Sequence, residues 1–446
     1  MKYKIQKSLF VLTLLASSLA YGQTETLQLS LEQAQELALK NNQSLKNAQL
    51  DIDYANYQVN EIRSMGLPQI SASGSFVHNY EVATQVIPGD FVGQPGETIP
   101  VQFGVPYSLT GTATLNQLLF DGTFFLGLKA ASEFVNVNKL LASKSEIDVK
   151  EGVLKAYYMA LISNDNIVQL EKSLANINKL KEETAEMYKE GYAEKLDVDR
   201  LILSASNVEI SINNIKNQAA LAKKLLLNSI GVDVNQEVVL SSSLPQFSEE
   251  TFAEDYGLSA GAPNRIEFKI LEQQQELNYL DLKRYKVGYM PSIYGMINYG
   301  TNSFGTQDHF DDLGKDWYGN GMYALSLNLP IFDGLQKKAK MDQVRVKIEK
   351  TKNSLTQLEN GINLEVIQAR TIYTSAYNAL KLQTKSKELA NSIYNTTSIK
   401  FKEGVGSSFE MINAESELTQ ANTNYLNALY ELSVAKINLD KALGKL

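Results

Sequence analysis

From Phe332-Asp333-Gly334 to Lys402-Glu403-Gly404 the chain runs about seventy residues without a proline and with one internal glycine, Gly361, which reads as a single very long helix. Within it Met341, Ile348, Leu355, Ile362, Ala369 and Ala376 recur every seven residues, and Val344, Leu358, Ile372 and Ala379 fall three positions after members of that ladder. Such spacing is a coiled-coil seam. At a rise of ~1.5 Å per residue the helix is on the order of 100 Å long, beyond the diameter of an ordinary domain. One compact globule therefore cannot house it.

The start of the chain reads as an export signal. Lys2, Lys4 and Lys7 precede the apolar run 9–16, and small residues follow to Ala20-Tyr21-Gly22, so the reading is a secretory signal peptide over 1–22 with cleavage before Gln23. The apolar run is short for a membrane anchor. Losing three lysines and no acid takes the formal charge from -8 to -11, which argues against nucleic acid as a partner. With no cysteine in the sequence there is neither a disulfide nor a lipid-bearing thiol. Beyond the signal no apolar run is long enough for a membrane helix, so any passage through a membrane must be made by a β-barrel.

Residues 30–65 have helical spacing, with Leu31, Ala34, Leu37 and Ala38 on one face and Ser30 with Gln33 as a capping box. Gly66-Leu67-Pro68 stops it. Apolar or small residues then alternate with polar ones from Gln69 to Phe76, and again where Leu109, Gly111, Ala113 and Leu115 stand against Thr110, Thr112, Thr114 and Asn116. These are two strands of a hairpin over about 68–120, joined by a long Gly- and Pro-rich loop, with the weak alternation of membrane strands. A proline-free run over about 123–190 follows, with ladders at Leu128, Val135, Ala142, Val149, Ala156 and at Leu140, Ile147, Leu154, Leu161, Val168. A helix at about 195–230 leads to Gly231, and a mixed segment fills 232–263 with an acidic patch at 249–255.

The pattern then repeats. Met290-Pro291-Ser292-Ile293 echoes Leu67-Pro68-Gln69-Ile70, and Phe332-Asp333-Gly334 echoes Phe120-Asp121-Gly122. Phe401-Lys402-Glu403-Gly404 echoes Tyr188-Lys189-Glu190-Gly191, and Gly444 matches Gly231, both at an offset of 213. The expected organisation is a first repeat over 23–231 and a second over 264–446. The second holds a helix, a hairpin at about 290–332, a long helix at about 334–403 and a helix at about 407–443. Four strands per chain cannot close a barrel, and open edges are forbidden in lipid, so the sheet must be closed by oligomerisation.

An export signal, tandem copies, hairpins ending in Phe-Asp-Gly and long helices turning at Lys-Glu-Gly together resemble the TolC family of outer-membrane efflux proteins, over essentially all of 24–446. The resemblance implies a mainly α fold with transmembrane β: a long coiled-coil α-barrel tunnel continuing into a β-barrel, four strands per chain, closed by trimerisation. It also implies a homotrimer in outer-membrane lipid, with the helices in the periplasm, passively conducting substrates delivered by an inner-membrane transporter through a periplasmic adaptor protein. No cofactor and no metal is implied.

In that family the long-helix turns form the periplasmic tip, where the tunnel closes and adaptors dock. Here the docking turns would be Gly191, Tyr192 and Ala193, followed by Glu194, and Gly404, Val405, Gly406 and Ser407. The family's gate places a tyrosine three residues before the second turn glycine, a basic residue two after it, and acids six and nine after it. Phe401, Gly406, Glu410 and Asn413 stand at those positions, so only the first acid is kept. Asp197 matches the tyrosine's partner, but Phe401 has no hydroxyl to reach it. Closure is then expected from packing of Phe401 and Tyr188, or from pairs such as Asp197 or Asp199 with Arg200 or Lys195. Three copies of Glu410 around one axis would form an anionic ring; the competing reading is a solvated charge on a coiled-coil flank.

Other features read more plainly. Asp308-His309-Phe310-Asp311-Asp312 lacks calcium-loop spacing and reads as a hairpin loop. Lys337, Lys338, Lys340, Arg345 and Lys347 form a solvated helix face or a headgroup contact, and Tyr294, Tyr299, Trp317, Tyr318 and Tyr323 an interfacial belt or local packing. No phosphate loop or nucleophile elbow supports an enzyme. An export duct is the leading function, against a protein-secretion exit within the same class and an exported coiled-coil scaffold in a different one.

Overall fold

The computed structural model describes residues 27–446 apart from 94, 251, 253–260 and 307–312. The expected signal peptide, the 308–312 cluster and most of the 249–255 acidic patch lie outside the described residues. In chain order the elements are β1 (Leu27–Leu29), α1 (Leu31–Asn41), α2 (Gln43–Ser64), β2 (Gln69–His78), β3 (Thr84–Pro88), β4 (Thr98–Gln102), β5 (Tyr107–Phe120), α3 (Gly122–Lys189), α4 (Lys195–Ser229), β6 (Val238–Leu240), α5 (Ile266–Val287), β7 (Ser292–Gly305), β8 (Tyr318–Asn328), α6 (Gln336–Lys402) and α7 (Ser408–Ala442).

Three of these differ from the sequence reading. The helix expected over 30–65 is two helices, because Asn42 adopts an extended ψ of 129° and its side chain accepts the Ser44 N–H at 2.8 Å, capping α2. The long loop between β2 and β5 carries its own hairpin, β3 paired antiparallel with β4. In the mixed segment, β6 pairs in parallel with β1. Three-residue strands this far apart in sequence carry no period for a pattern to detect.

The chain divides into two compact units. One comprises 52–138 and 272–353 and holds the antiparallel sheet β2-β5-β7-β8 with helical residues on its flanks. The other comprises 27–51, 139–271 and 354–446. Three apolar clusters lie in its core among the described residues. One joins Val366, Ala369, Tyr373 and Leu380 of α6 to Leu426, Leu429, Leu432 and Leu439 of α7. A second packs Leu29 and α1 residues Ala34 and Ala38 on Val153 and Tyr157 of α3 and Leu226 and Leu227 of α4. The Tyr157 hydroxyl donates to the Leu29 carbonyl at 2.9 Å, satisfying a fully buried polar atom. The third lies beside the helix turns.

The seven-residue ladder of α6 is buried as expected at Ile348, Ile362, Ala369 and Ala376, but its companion rail shifts. Val344 is buried three positions after Met341, whereas Val366, Tyr373 and Leu380 are buried four positions after ladder members and Ile372 is exposed. A straight helix has 3.6 residues per turn, so a strict heptad drifts and an extra step of four realigns it. In α3, Val168 leaves the buried face for the same reason. Beyond Leu161 the seam runs Asn166, Leu170, Ser173, Ile177, Leu180 and Thr184, at alternating steps of four and three.

Candidate functional site

Pairing register sorts the four-stranded sheet into two chemically distinct faces. Ile70 pairs with Leu115, Leu115 with Ile297 and Ile297 with Tyr323, so one row of side chains across the sheet is wholly apolar. Ala72, Ala113 and Tyr299 form the next row on that face, and Leu325 and Leu327 extend it along β8. The rows between are mainly hydroxyls and amides: Ser71, Thr114 and Asn298 beside Met322, then Ser73, Thr112 and Asn320, then Ser75, Thr110 and Asn302, with Met296 and Ala324 the apolar members of the row beside Asn116. Thr110 donates to Asn302 Oδ1 and Asn298 to Thr114 Oγ1, each at 2.9 Å. None of the four strands contains Asp, Glu, Lys or Arg. A mainly apolar face opposite a mainly polar, uncharged one is what lipid on one side and water on the other require. Among the described residues no helix is long and apolar enough to cross a membrane.

The sheet also divides the aromatic residues expected to form one belt. Tyr299 and Tyr323 lie on the apolar face. Tyr294 and Tyr318 lie on the other, where Tyr294 donates to Asp121 at 3.3 Å and Tyr318 stacks on Phe304. Trp317 donates locally to the Gly314 carbonyl at 3.0 Å. Lys337, first of the basic run, pairs with Asp333 at 3.0 Å and lies over the Tyr289 ring.

At the turns between long and short helices, Gly191 and Gly404 adopt φ of 80° and 74°, ending α3 and α6 in the left-handed conformation. After them each short helix opens on the same device. The Glu194 N–H donates to Asp197 Oδ2 at 3.3 Å, and the Ser407 N–H to Glu410 Oε2 at 3.4 Å, with the Glu410 N–H returning to Ser407 Oγ at 3.2 Å. Both are capping boxes, so the two acids singled out for gating also hold their own helix starts. Glu410 and Asn413 are exposed and Asp197 is half-buried. Tyr192 and Val405 project into solvent at the turn apices.

The turns meet through packing. Ile177 and Leu180 of α3, Leu201 and Ala205 of α4 and Met411 of α7 form one buried cluster, against which Phe401 of α6 packs. Tyr188, its counterpart in the first repeat, is exposed. Of the expected ion pairs, Asp197 and Arg200 approach at 3.9 Å. A contact missed in the sequence joins the two short helices: the Arg200 guanidinium lies 5.0 Å from the Phe409 ring centroid. An alignment of the two turns would have brought those residues forward, since each lies in the first turns of its helix.

The Outer membrane efflux protein family matches residues 17–232 and 273–445. The chain belongs to that family. It is 20% identical to outer membrane protein TolC of Vibrio cholerae serotype O1, over 92% of this chain and 89% of that protein. To the cation efflux system protein CusC of Escherichia coli O6:H1 it is 22% identical, over 91% and 84%. The fold matches the MtrE outer membrane channel of Neisseria gonorrhoeae at a TM-score of 0.70 and 19% identity, over 93% of this chain and 88% of that one. Membership identifies this efflux protein as an outer-membrane exit duct with a helical periplasmic tunnel, as the sequence resemblance implied, and sets aside the exported scaffold. The relatives named are channels and efflux components rather than enzymes.

Proposed function

We propose that three copies of the chain close one duct, in which twelve strands cross the outer membrane and the long helices line a tunnel that receives substrate from an inner-membrane transporter through a periplasmic adaptor. The observation that carries this reading is the charge-free sheet with one apolar and one polar face, whose outer strands β2 and β8 each pair on one side only among the described residues. Open edges are not tolerated in lipid, and three copies bring the strand number into the range of closed barrels. A relative named for cation efflux and another for toluene efflux favour small solutes as cargo over exported proteins.

The tip turns are the adaptor-docking surface in this proposal. Gly191, Tyr192 and Ala193 with Gly404, Val405, Gly406 and Ser407 make two adjacent knuckles, and exposed Tyr192 and Val405 supply apolar contacts at their apices. Closure rests on Phe401 packing and the Arg200–Phe409 contact in place of a hydroxyl-to-carboxylate lock. Exposed Glu410 forms the anionic ring.

The sequence holds no cysteine, so paired cysteines introduced along β2 and β8 report edge-to-edge contact without background. Oxidation in outer-membrane fractions is expected to give a covalent trimer; products no larger than a dimer overturn the proposal. For the ring, Glu410→Gln keeps the capping box, because glutamine serves equally at that position. It is expected to lower cation selectivity in planar-bilayer recordings, and unchanged selectivity removes Glu410 from the pore.

A further inference from the structure

Glu415 lies on a face of α7 where Met411, Ala414 and Ala421 are buried around it and Thr419 follows one turn on. Its side chain is itself buried, with the residue only 3% exposed. The facing seam of α3 is unusually polar: Asn166, Ser173 and Thr184 interrupt its apolar steps, and Asn166 Oδ1 and Thr184 Oγ1 have no hydrogen-bond partner. Ser173 donates to Glu415 Oε1 at 2.7 Å and lies 2.6 Å from Thr419 Oγ1. Glu415 Oε2 makes no hydrogen bond of normal geometry, with Asn176 and Tyr394 the donors that face the carboxylate. Beside it lies a cavity of about 270 Å³, lined by Lys172 and Asn176 of α3 and Lys387, Glu388 and Asn391 of α6.

An ionised carboxylate with one oxygen dehydrated and unpaired destabilises the packed state. A protonated one is an O–H donor, and the amide oxygens lining the cavity are acceptors. The two protonation states therefore differ in how well they fit between α3, α6 and α7. We propose that Glu415 is a proton-binding site whose occupancy tightens the packing of α7 against α3 and α6.

The charged and titratable groups around it are few. Lys172 approaches from α3, while α6 contributes Lys387, whose ammonium lies 4.2 Å from the Tyr425 ring centroid, together with Glu388 and Tyr394. Burial pushes the Glu415 carboxyl up from its ordinary value of 4.5, and Ser173, Asn176, Tyr394 and Lys172 offset only part of that. Tyr394 is pushed up to about 12 by its own burial and then by the Glu415 charge, with Glu183 of α3 adding to it. A raised carboxyl binds its proton more tightly in the packed state than in the separated one. Packing is therefore strongest at acid pH, and weakens as pH rises through and above the ordinary glutamate range. The proton and helix separation are reciprocal, so whatever parts these helices lowers proton affinity by the same factor. This goes beyond conduction: it is a control input on the helices and holds whether or not solute is passing.

Hydrogen exchange of the full chain in detergent, with rates corrected for the pH dependence of chemical exchange, tests it. Between pH 5 and pH 8, wild-type peptides spanning 166–184 and 408–422 are expected to lose about three- to tenfold in protection. Glu415→Gln is expected to remove that dependence and stay protected at pH 8, Glu415→Met to do the same by an apolar route, and Glu388→Gln to leave it intact. A pH-independent wild type overturns the proposal by itself, even if neither Glu415 variant folds. Dependence that survives in Glu415→Gln, or disappears in Glu388→Gln, overturns it equally.

Discussion

The two elbows at which α4 and α7 end solve one geometrical problem with different chemistry. Gly231 and Gly444 both adopt left-handed φ, at 72° and 71°. Two residues before each, a backbone carbonyl accepts a side-chain hydrogen bond from the start of a helix in the same repeat. Asn42 Nδ2 donates to the Ser229 carbonyl at 2.7 Å, and Arg265 Nη1 to the Ala442 carbonyl at 3.0 Å. Ser229 and Ala442 are separated by the 213-residue offset of the repeats. The first elbow is neutral and closed by backbone contact: a Cβ on Gly231 would stand 2.5 Å from the Asn41 carbonyl oxygen. The second is looser, its nearest atom to such a Cβ being 3.7 Å away, and is held by a buried arginine paired at 3.2 Å with both Glu267 and Glu365. The carbonyl that must be satisfied stands at matching positions of the two elbows, while the donor differs.

The largest expected effect breaks the first elbow and spares the second. Alanine at Gly231 must adopt a left-handed φ and also displace backbone, which together cost about 3 kcal/mol. Alanine at Gly444 meets only the φ penalty, about 1 kcal/mol. Unfolding followed by circular dichroism in detergent should place Gly231→Ala well below Gly444→Ala, and equal midpoints would mean that the first elbow yields easily.

The donors rank the other way. Arg265→Leu leaves two carboxylates and a carbonyl without their partner, expected to destabilise by about 2 kcal/mol after allowing for solvent at Glu365. Asn42→Ala removes one neutral hydrogen bond, about 1 kcal/mol. Only the second elbow is pH-sensitive by this route. Burial opposes ionisation of Glu267, but its own backbone N–H and Arg265 outweigh burial and hold the carboxyl below its ordinary value of 4.5. That stabilisation is present above 4.5 and is lost as pH falls through the depressed value. Acid titration of unfolding midpoints should therefore narrow the gap between wild type and Arg265→Leu, while the gap to Asn42→Ala stays constant.

Much of this architecture was legible because it is periodic. The α6 ladder, the strand alternation and the paired Lys-Glu-Gly turns each repeat often enough to outweigh local noise, and the two-faced sheet follows from alternation once register is known. What escaped was non-local or ambiguous. Positions three and four after a ladder member both face a neighbour, so the heptad places Ile372 inward although Tyr373 takes the buried place. The break at Asn42 lies inside continuous helical spacing, and the partner of its side chain, Ser229, is 187 residues away. Ser407-x-x-Glu410 carries the capping-box pattern in the sequence itself, so one acid fits both a helix start and the family's gate position. Glu415 carries no signal in the sequence, flanked as it is by Asn413, Glu417 and Thr419, and its burial depends on three helices meeting.

A smaller comparison concerns the aromatic residues before each turn. Phe401 packs into the cluster of Ile177, Leu180, Leu201 and Met411, whereas Tyr188 stays in solvent. Phe401→Ala should lower stability by about 2 kcal/mol, reduced from the full-burial value because the ring is only partly covered, and Tyr188→Ala by less than about 0.5 kcal/mol. Hydrogen exchange at 174–184 should rise in the first variant alone. A matching rise in Tyr188→Ala would show that both halves contribute to closure.

Small effects also lie at the helix starts, where the halves differ in the opening residue, Glu194 against Ser407, and in the acid three residues on, Asp197 against Glu410. Ser407 accepts the Glu410 N–H with a compact hydroxyl at 3.2 Å, whereas at the first start the Asp197 N–H bonds the Glu194 backbone carbonyl at 3.1 Å, so the longer Glu194 side chain adds less. Serine is a preferred cap and glutamate is not, because holding an extended side chain in one rotamer forfeits entropy. Ser407→Ala is expected to destabilise the start of α7 by about 1 kcal/mol, and Glu194→Ala the start of α4 by about half as much. Exchange rates at 408–411 and 195–198 read this directly, since a lost cap frays the first turn before it changes global stability. Equal fraying at the two starts would mean that Asp197 and Glu410, as return acceptors of the turn N–H groups, hold these helix ends rather than the residues that open them.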